Sequence, residues 1–179
     1  MVSATLEIVA SKGFAAASLD EIAARAVMTK GAIYSNFASK AELLLAAMAA
    51  KGLTLSSGRA PARTIGEELA AMAQDLAATL RRAKGEEMFL AEFQLYALSD
   101  PELRAGLASV YSDAFGQTAA YLARLTDVDA TVPPRRLAVA LQAVAMGLLV
   151  QSFITPSEVD EAVVLTTMKA LAEGLARRR

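Results

Sequence analysis

Two capping signatures, Ser18-Leu-Asp-Glu21 and Ser39-Lys-Ala-Glu42, stand close together near the start of the chain. Each sets a hydroxyl three places ahead of an acid, the pattern that satisfies the orphan backbone N–H groups opening a helix. Between them Thr29 can cap a further helix, and ahead of them Gly13 can close one that begins near Val2. The first fifty-odd residues are therefore expected to form four short helices, over about 2–12, 18–26, 30–36 and 40–53. A turn of about three residues separates the second from the third, the spacing of a helix-turn-helix pair.

Helical punctuation continues beyond. Thr54-Leu-Ser-Ser-Gly-Arg-Ala-Pro-Ala gathers small residues, Gly and Pro and reads as a linker. Ile65, Leu69, Met72, Leu76 and Leu80 then recur at helical spacing, and Lys84-Gly85 ends that fifth helix. A sixth is expected over 88–99 and a seventh from Asp100-Pro101 to about Leu125. Pro133-Pro134 precedes an eighth, roughly 135–154. Thr155-Pro-Ser-Glu158 starts a ninth, with Glu158, Asp160 and Glu161 at its head and Arg177, Arg178 and Arg179 at its tail, matching the helix dipole. Strand alternation and hairpin turns are lacking. The expected fold is all-α with about nine helices: an N-terminal helix-turn-helix domain with its linking fourth helix over 1–53, and a helical ligand-binding and dimerisation domain over 54–179.

The 179 residues contain no histidine and no cysteine, which removes disulfides, Cys/His metal sites, thiol nucleophiles and the commonest general base. No enzymatic activity, cofactor or metal is expected. Net charge is −1, and residues 1–51 hold five Lys/Arg (Lys12, Arg25, Lys30, Lys40, Lys51) against four Asp/Glu (Glu7, Asp20, Glu21, Glu42), a balance of +1. Bulk attraction does not bring such a chain to nucleic acid; binding must come from a local arrangement of donors. The N-terminus lacks the basic-then-apolar pattern of a signal peptide. The apolar stretch 137–155 carries Gln142, Gln151 and Ser152 and reads as a core helix, not a membrane span. A cytoplasmic protein is expected.

In residues 18–37, Ile22, Ala23 and Ala26 can pack against Ile33 and Phe37, leaving Lys30, Gly31, Ala32, Tyr34 and Ser35 outward. Small residues let a helix sit close to base edges in a major groove, and Lys30 offers a donor to guanine or phosphate. Tyr34, Ser35 and Lys40 are candidate phosphate holders. The same pair is also a compact way to pack two helices without any DNA.

Gly13-Phe14, Ser18-Leu-Asp-Glu-Ile-Ala23, Thr29-Lys-Gly-Ala-Ile-Tyr-Ser-Asn-Phe37 and Ser39-Lys-Ala-Glu-Leu-Leu44 together resemble the N-terminal region of TetR-family repressors of the AcrR-like kind, across about residues 4–48. The resemblance implies a three-helix DNA-reading head, a fourth helix joining it to a helical body, and a homodimer on a palindromic operator. It places Lys30, Gly31, Ala32 and Tyr34 on the recognition helix, with Thr29 capping it and touching the DNA backbone. Asn36 would sit at its exit, Lys40 on a phosphate, and Ser18 at the matching cap of the second helix. Two departures stand out. Val27 occupies a turn position where relatives usually carry Gly, so it is either strained by about 1–3 kcal/mol or forces a different turn. The sequence also starts inside the first helix, without the basic residues many relatives carry upstream, so either the start is misassigned or binding at physiological salt is weaker.

If the body packs as in that family, Met72, Met88, Phe89, Phe93, Tyr96, Tyr111 and Phe115 share a neighbourhood suited to an adaptable apolar pocket, or are ordinary core. Glu92 could face a cationic effector or pair with Arg104, and Gln142 raises the same choice. The eighth helix is apolar around most of its circumference. Ala143 and Gly147 allow close approach, and Val164, Met168, Leu171 and Leu175 make a stripe on the ninth, so a two-fold four-helix dimer interface is expected. The reading is a dimeric repressor released from operator DNA by a small apolar or amphipathic effector. The alternative is a helical carrier or protein-interaction module with an idle helix-turn-helix.

Overall fold

In the computed structural model residues 1–51, 61–82, 86–129 and 131–176 are described, with the side chains of Lys51, Arg82 and 86–88 excepted. The fold is all-α. Among the described residues it comprises α1 (Val2–Ala16), α2 (Leu19–Arg25), α3 (Lys30–Tyr34), α4 (Lys40–Lys51), α5 (Ile65–Arg82), α6 (Glu86–Ser99), α7 (Pro101–Leu122), α8 (Pro134–Ile154) and α9 (Glu161–Leu175). The expected linker over 54–62 falls almost wholly outside the described residues, as do Lys84-Gly85 and Arg177–Arg179.

The chain divides into two compact units: residues 1–55 with 89–111, and residues 56–88 with 112–179. The division differs from a simple cut after residue 53, because α6 and the first part of α7 pack with the N-terminal helices. The cause is Phe14. Gly13 takes φ 80° and ψ 166°, a backbone that side-chain-bearing residues rarely adopt, and so breaks α1 near its end. The break turns Phe14 inward, where its ring meets Phe89 at 4.7 Å, Phe93 at 5.1 Å and Tyr96 at 5.9 Å between centroids. Leu44, Met48, Leu103 and Leu107 complete this cluster.

The second unit is built around α5, whose Ile65, Leu69, Ala73 and Leu76 are buried against Val164 and Met168 of α9 and Leu137, Leu141, Ala145 and Leu149 of α8. Its loops are tied by one side-chain and two backbone hydrogen bonds: Asp127 Oδ1 accepts from Ile65 N at 2.7 Å, Thr126 N donates to Arg63 O, and Asp129 N donates to Leu175 O. The ninth helix starts later than Thr155-Pro-Ser-Glu158 suggests. Asp160 caps it, its carboxylate accepting from Val163 N at 3.0 Å, and Glu158 lies in the preceding turn. α8 is long and apolar enough to cross a membrane by length and composition. Its Leu137, Ala138, Leu141, Ala145, Leu149 and Ser152 are nevertheless buried in the unit's own core, the behaviour of a core helix.

Candidate nucleic-acid interface

The helix-turn-helix is assembled by caps at its ends and three aliphatic side chains in its middle. Ser18 Oγ accepts from Glu21 N at 3.2 Å while the Glu21 carboxylate takes Ser18 N, so the expected capping box forms in full. Lys12 also donates to Glu21, and with Ser18 it holds that carboxyl below its ordinary range. Thr29 Oγ1 caps α3 by accepting from Ala32 N at 3.2 Å. Ile22, Ile33 and Leu43 are fully buried together, with Ala23 beside them and Phe37 half-buried at the edge.

The turn keeps a left-handed residue. Val27 has φ 55° and is 93% exposed, so the β-branched side chain packs against almost nothing while its backbone sits where glycine is at ease. Backbone bonds from Val27 N to Ala24 O and from Met28 N to Ala23 O hold that geometry.

With Ile33 pinned inside, α3 turns Lys30, Gly31, Tyr34 and Ser35 to solvent and leaves Ala32 half-buried. Tyr34 is 52% exposed, a large ring offered outward. Ser35 Oγ and Asn36 Nδ2 both donate to Ala32 O at 2.9 Å, closing the end of this short helix. Lys30 Nζ lies 2.9 Å from Asp20 Oδ1 and 3.2 Å from Oδ2, and this carboxylate holds the ammonium above its usual range. Lys40, expected from sequence on a phosphate, donates here to the carbonyls of Phe14 (3.0 Å) and Ala15 (3.4 Å) at the end of α1 and lies 5.6 Å over the Tyr96 ring.

Sequence reasoning missed the acids. Arg25 pairs with Glu7 and Lys12 with Glu21, so both join Lys30 in ion pairs inside the head. The signal was only the near balance of charges, since partners nine to eighteen residues apart meet through tertiary packing.

The proposed pocket residues fall in two sets. Phe89, Phe93 and Tyr96 surround Phe14 in the first unit, where Gln94 donates to the Tyr111 hydroxyl and burial pushes that phenol's pKa up. Glu92 is exposed on α6. Met72 and Phe115 are half-buried against the core of the second unit, where Gln142 is also half-buried. The side chain of Met88 lies outside the described residues. Of the proposed dimer residues, Ala143 and Gly147 are exposed on α8, but Val164 and Met168 are completely buried in their own unit's core, with Leu171 and Leu175 packed at its margin. The α9 stripe is thus used within the protomer, because α5 presents the complementary apolar face.

Residues 1–47 match the model of the bacterial regulatory proteins of the tetR family, and residues 66–177 that of the BetI-type transcriptional repressor C-terminal region. The fold is similar to Salmonella enterica GusR, with a TM-score of 0.73 and 19% identity over 98% of this chain and 92% of that one. It is similar also to the multidrug binding protein EbrR complexed with proflavin, at TM-score 0.63 and 26% identity over 93% and 96% of the two chains. SmeT, the repressor of the Stenotrophomonas maltophilia multidrug efflux pump SmeDEF, matches at TM-score 0.62 and 22% identity over 98% and 88%. A sequence comparison with curated proteins gives no match.

Proposed function

The chain belongs to the TetR family of bacterial regulatory proteins and is a DNA-binding transcriptional regulator, and from that premise we propose that it is a homodimeric repressor that a small effector lifts from a palindromic operator. The observation that carries the reading is the two-sided α3: Ile33 anchors one side and Thr29 caps the start, while Lys30, Gly31 and Tyr34 face solvent. A short helix so presented suits entry into a major groove, with Lys30 reaching guanine or phosphate and Tyr34 the backbone. Ser18 and Thr29 place helix starts toward phosphates, Ala32 keeps the approach close, and Ser35 and Asn36 sit at the exit.

In this reading the dimer forms on α8 through Ala143 and Gly147, where Val139 and Ile154 of α8 and Leu165 of α9 also leave apolar surface exposed. The effector binds in the body among groups that include Met72, Phe115 and Gln142 and is small and apolar or amphipathic. The similarity to EbrR, which was solved with proflavin, makes planar aromatic cations sensible first probes. The protein acts in the cytoplasm.

The test is selection of bound sequences from a random duplex pool by the purified protein, followed by the salt dependence of the winner's affinity. A palindromic winner supports the reading. Joint replacement of Lys30 and Tyr34 by alanine is expected to abolish binding to it while helical content and dimer mass persist; no enrichment from folded, dimeric protein overturns the reading.

A further inference from the structure

The basic side chains described in residues 1–51 all reach acceptors within the first unit. Lys12 ends on Glu21, Arg25 on Glu7 and Lys30 on Asp20, and Lys40 donates to the carbonyls of Phe14 and Ala15. Of these four, only Lys30 belongs to α3. Its partner Asp20 stands in the first turn of α2, and the two helices are locked through Ile22 and Ile33, both fully buried. Carboxylate and ammonium are therefore held opposite one another by a rigid pair of helices. Both ends remain open to solvent, Lys30 at 50% and Asp20 at 70% exposure.

We propose that Asp20 is an intramolecular competitor for Lys30, a carboxylate that Lys30 must leave to reach DNA, and that it thereby sets the strength and salt dependence of binding. The proposal rests on the DNA-reading role assigned to α3. A free lysine that neutralises a phosphate releases a condensed counterion, which is why affinity falls steeply with salt. A lysine already neutralised by a carboxylate does not give that net release, because the abandoned Asp20 takes up a cation of its own when Lys30 departs. The contribution of Lys30 to the salt slope is then cancelled. Asp20 is a positioning residue in this scheme, acting through Lys30 and not on the DNA.

The experiment measures binding of the full chain to its selected duplex at 50 and 200 mM salt for wild type, Asp20→Asn, Lys30→Gln and the double variant. One extra phosphate contact steepens the logarithmic slope by about 0.9, so Asp20→Asn is expected to tighten binding, with a gain about three- to fourfold larger at 50 than at 200 mM. In the Lys30→Gln background the same change is expected to alter neither affinity nor slope, and Asp20→Glu is expected to restore wild-type behaviour. An unchanged slope for Asp20→Asn overturns the proposal, and so does an equal gain with and without Lys30, which would mark Asp20 as a general repulsive charge. Melting without DNA separates a weakened α2 from lost competition, and Asp20→Ser repeats the test if Asn impairs folding. A wild-type protein that binds no duplex at any salt refutes the regulator reading and the proposal together, whereas binding indifferent to Asp20 refutes the proposal alone.

Discussion

Replacing Val27 by glycine is expected to stabilise the protein. Val27 is held at φ 55°, where a side chain with a Cβ costs about 1–2 kcal/mol. Its side chain is 93% exposed, so removal forfeits almost no burial. The opposing effect lies in the unfolded chain, which gains conformational freedom with glycine by about 0.4–1 kcal/mol. The difference leaves a net gain on the order of 1 kcal/mol, or a rise in melting temperature of about 2–4 °C for a chain of this size. The bonds Val27 N to Ala24 O and Met28 N to Ala23 O involve only backbone and survive the exchange. Thermal melts followed by circular dichroism, with urea midpoints beside them, should rank glycine first, asparagine next and alanine last among the replacements, since asparagine tolerates the left-handed region better than alanine. A glycine variant that melts below wild type refutes the argument, for it would mean that Val27 is unstrained or makes contacts its exposure denies. Operator affinity should not fall, because the turn geometry is kept.

Gly13→Ala is expected to destabilise by about 1–3 kcal/mol in the same melts, although no atom lies within 4 Å of the added Cβ, because φ 80° and ψ 166° are the obstacle. Thr29→Ala removes the cap of α3, and about 1 kcal/mol of stability should go with it, together with a loss of operator affinity in a gel-shift titration. Met168→Ala, in the core of the second unit, should cost about 2–5 kcal/mol in urea unfolding, while Gly147→Arg on the exposed face of α8 should leave the fold intact and convert dimer to monomer by light scattering. The Glu21 carboxyl is lowered, first by its bond from Lys12 and then by Ser18; a depressed acid contributes stability above its unfolded value, and that contribution is lost as pH falls through and below the ordinary carboxylate range. Glu21→Gln should therefore flatten the acid limb of a stability-against-pH curve.

Local chemistry made the head readable. Capping hydroxyls and an acid three residues on act within a turn or two of chain, so Ser18 and Thr29 announce α2 and α3 without knowledge of neighbours, whereas Gly13, expected to end α1 as a left-handed cap, only kinks it, and the helix runs on to Ala16. Asp100 and Pro101 did the same for α7, and Asp160 shows the limit: Thr155, Ser157 and Asp160 are all competent caps, and which one wins depends on where Val164 must sit to reach the core. Periodicity likewise identified the stripe Val164, Met168, Leu171 and Leu175 as buried, but burial has no address. The same pattern serves a partner subunit or a neighbouring helix, and here α5 takes it. The aromatics of α6 carried the same ambiguity between pocket and core, and a ring contact such as that of Phe14 with Phe89 and Phe93 is compatible with either.

Charge is where one-dimensional reading falls furthest short. Counting gives residues 1–51 a balance of +1, which suggests a weakly attractive surface; the structure shows the four described bases among them engaged with Glu7, Asp20, Glu21 and the carbonyls of Phe14 and Ala15. Two heads of equal net charge behave differently on DNA if one holds free ammonium groups and the other holds paired ones, because only the first gains the full release of counterions on docking. Exposed ion pairs contribute at most about 1 kcal/mol to stability, so these pairs are poorly explained as staples of the fold. On the role proposed for Lys30, the larger consequence of its pair with Asp20 is on the binding side, where the carboxylate must be exchanged for phosphate. By that proposal, affinity is expected to follow not only how many lysines the head carries but which acids, Asp20 first among them, the packing of α2 and α3 sets against them.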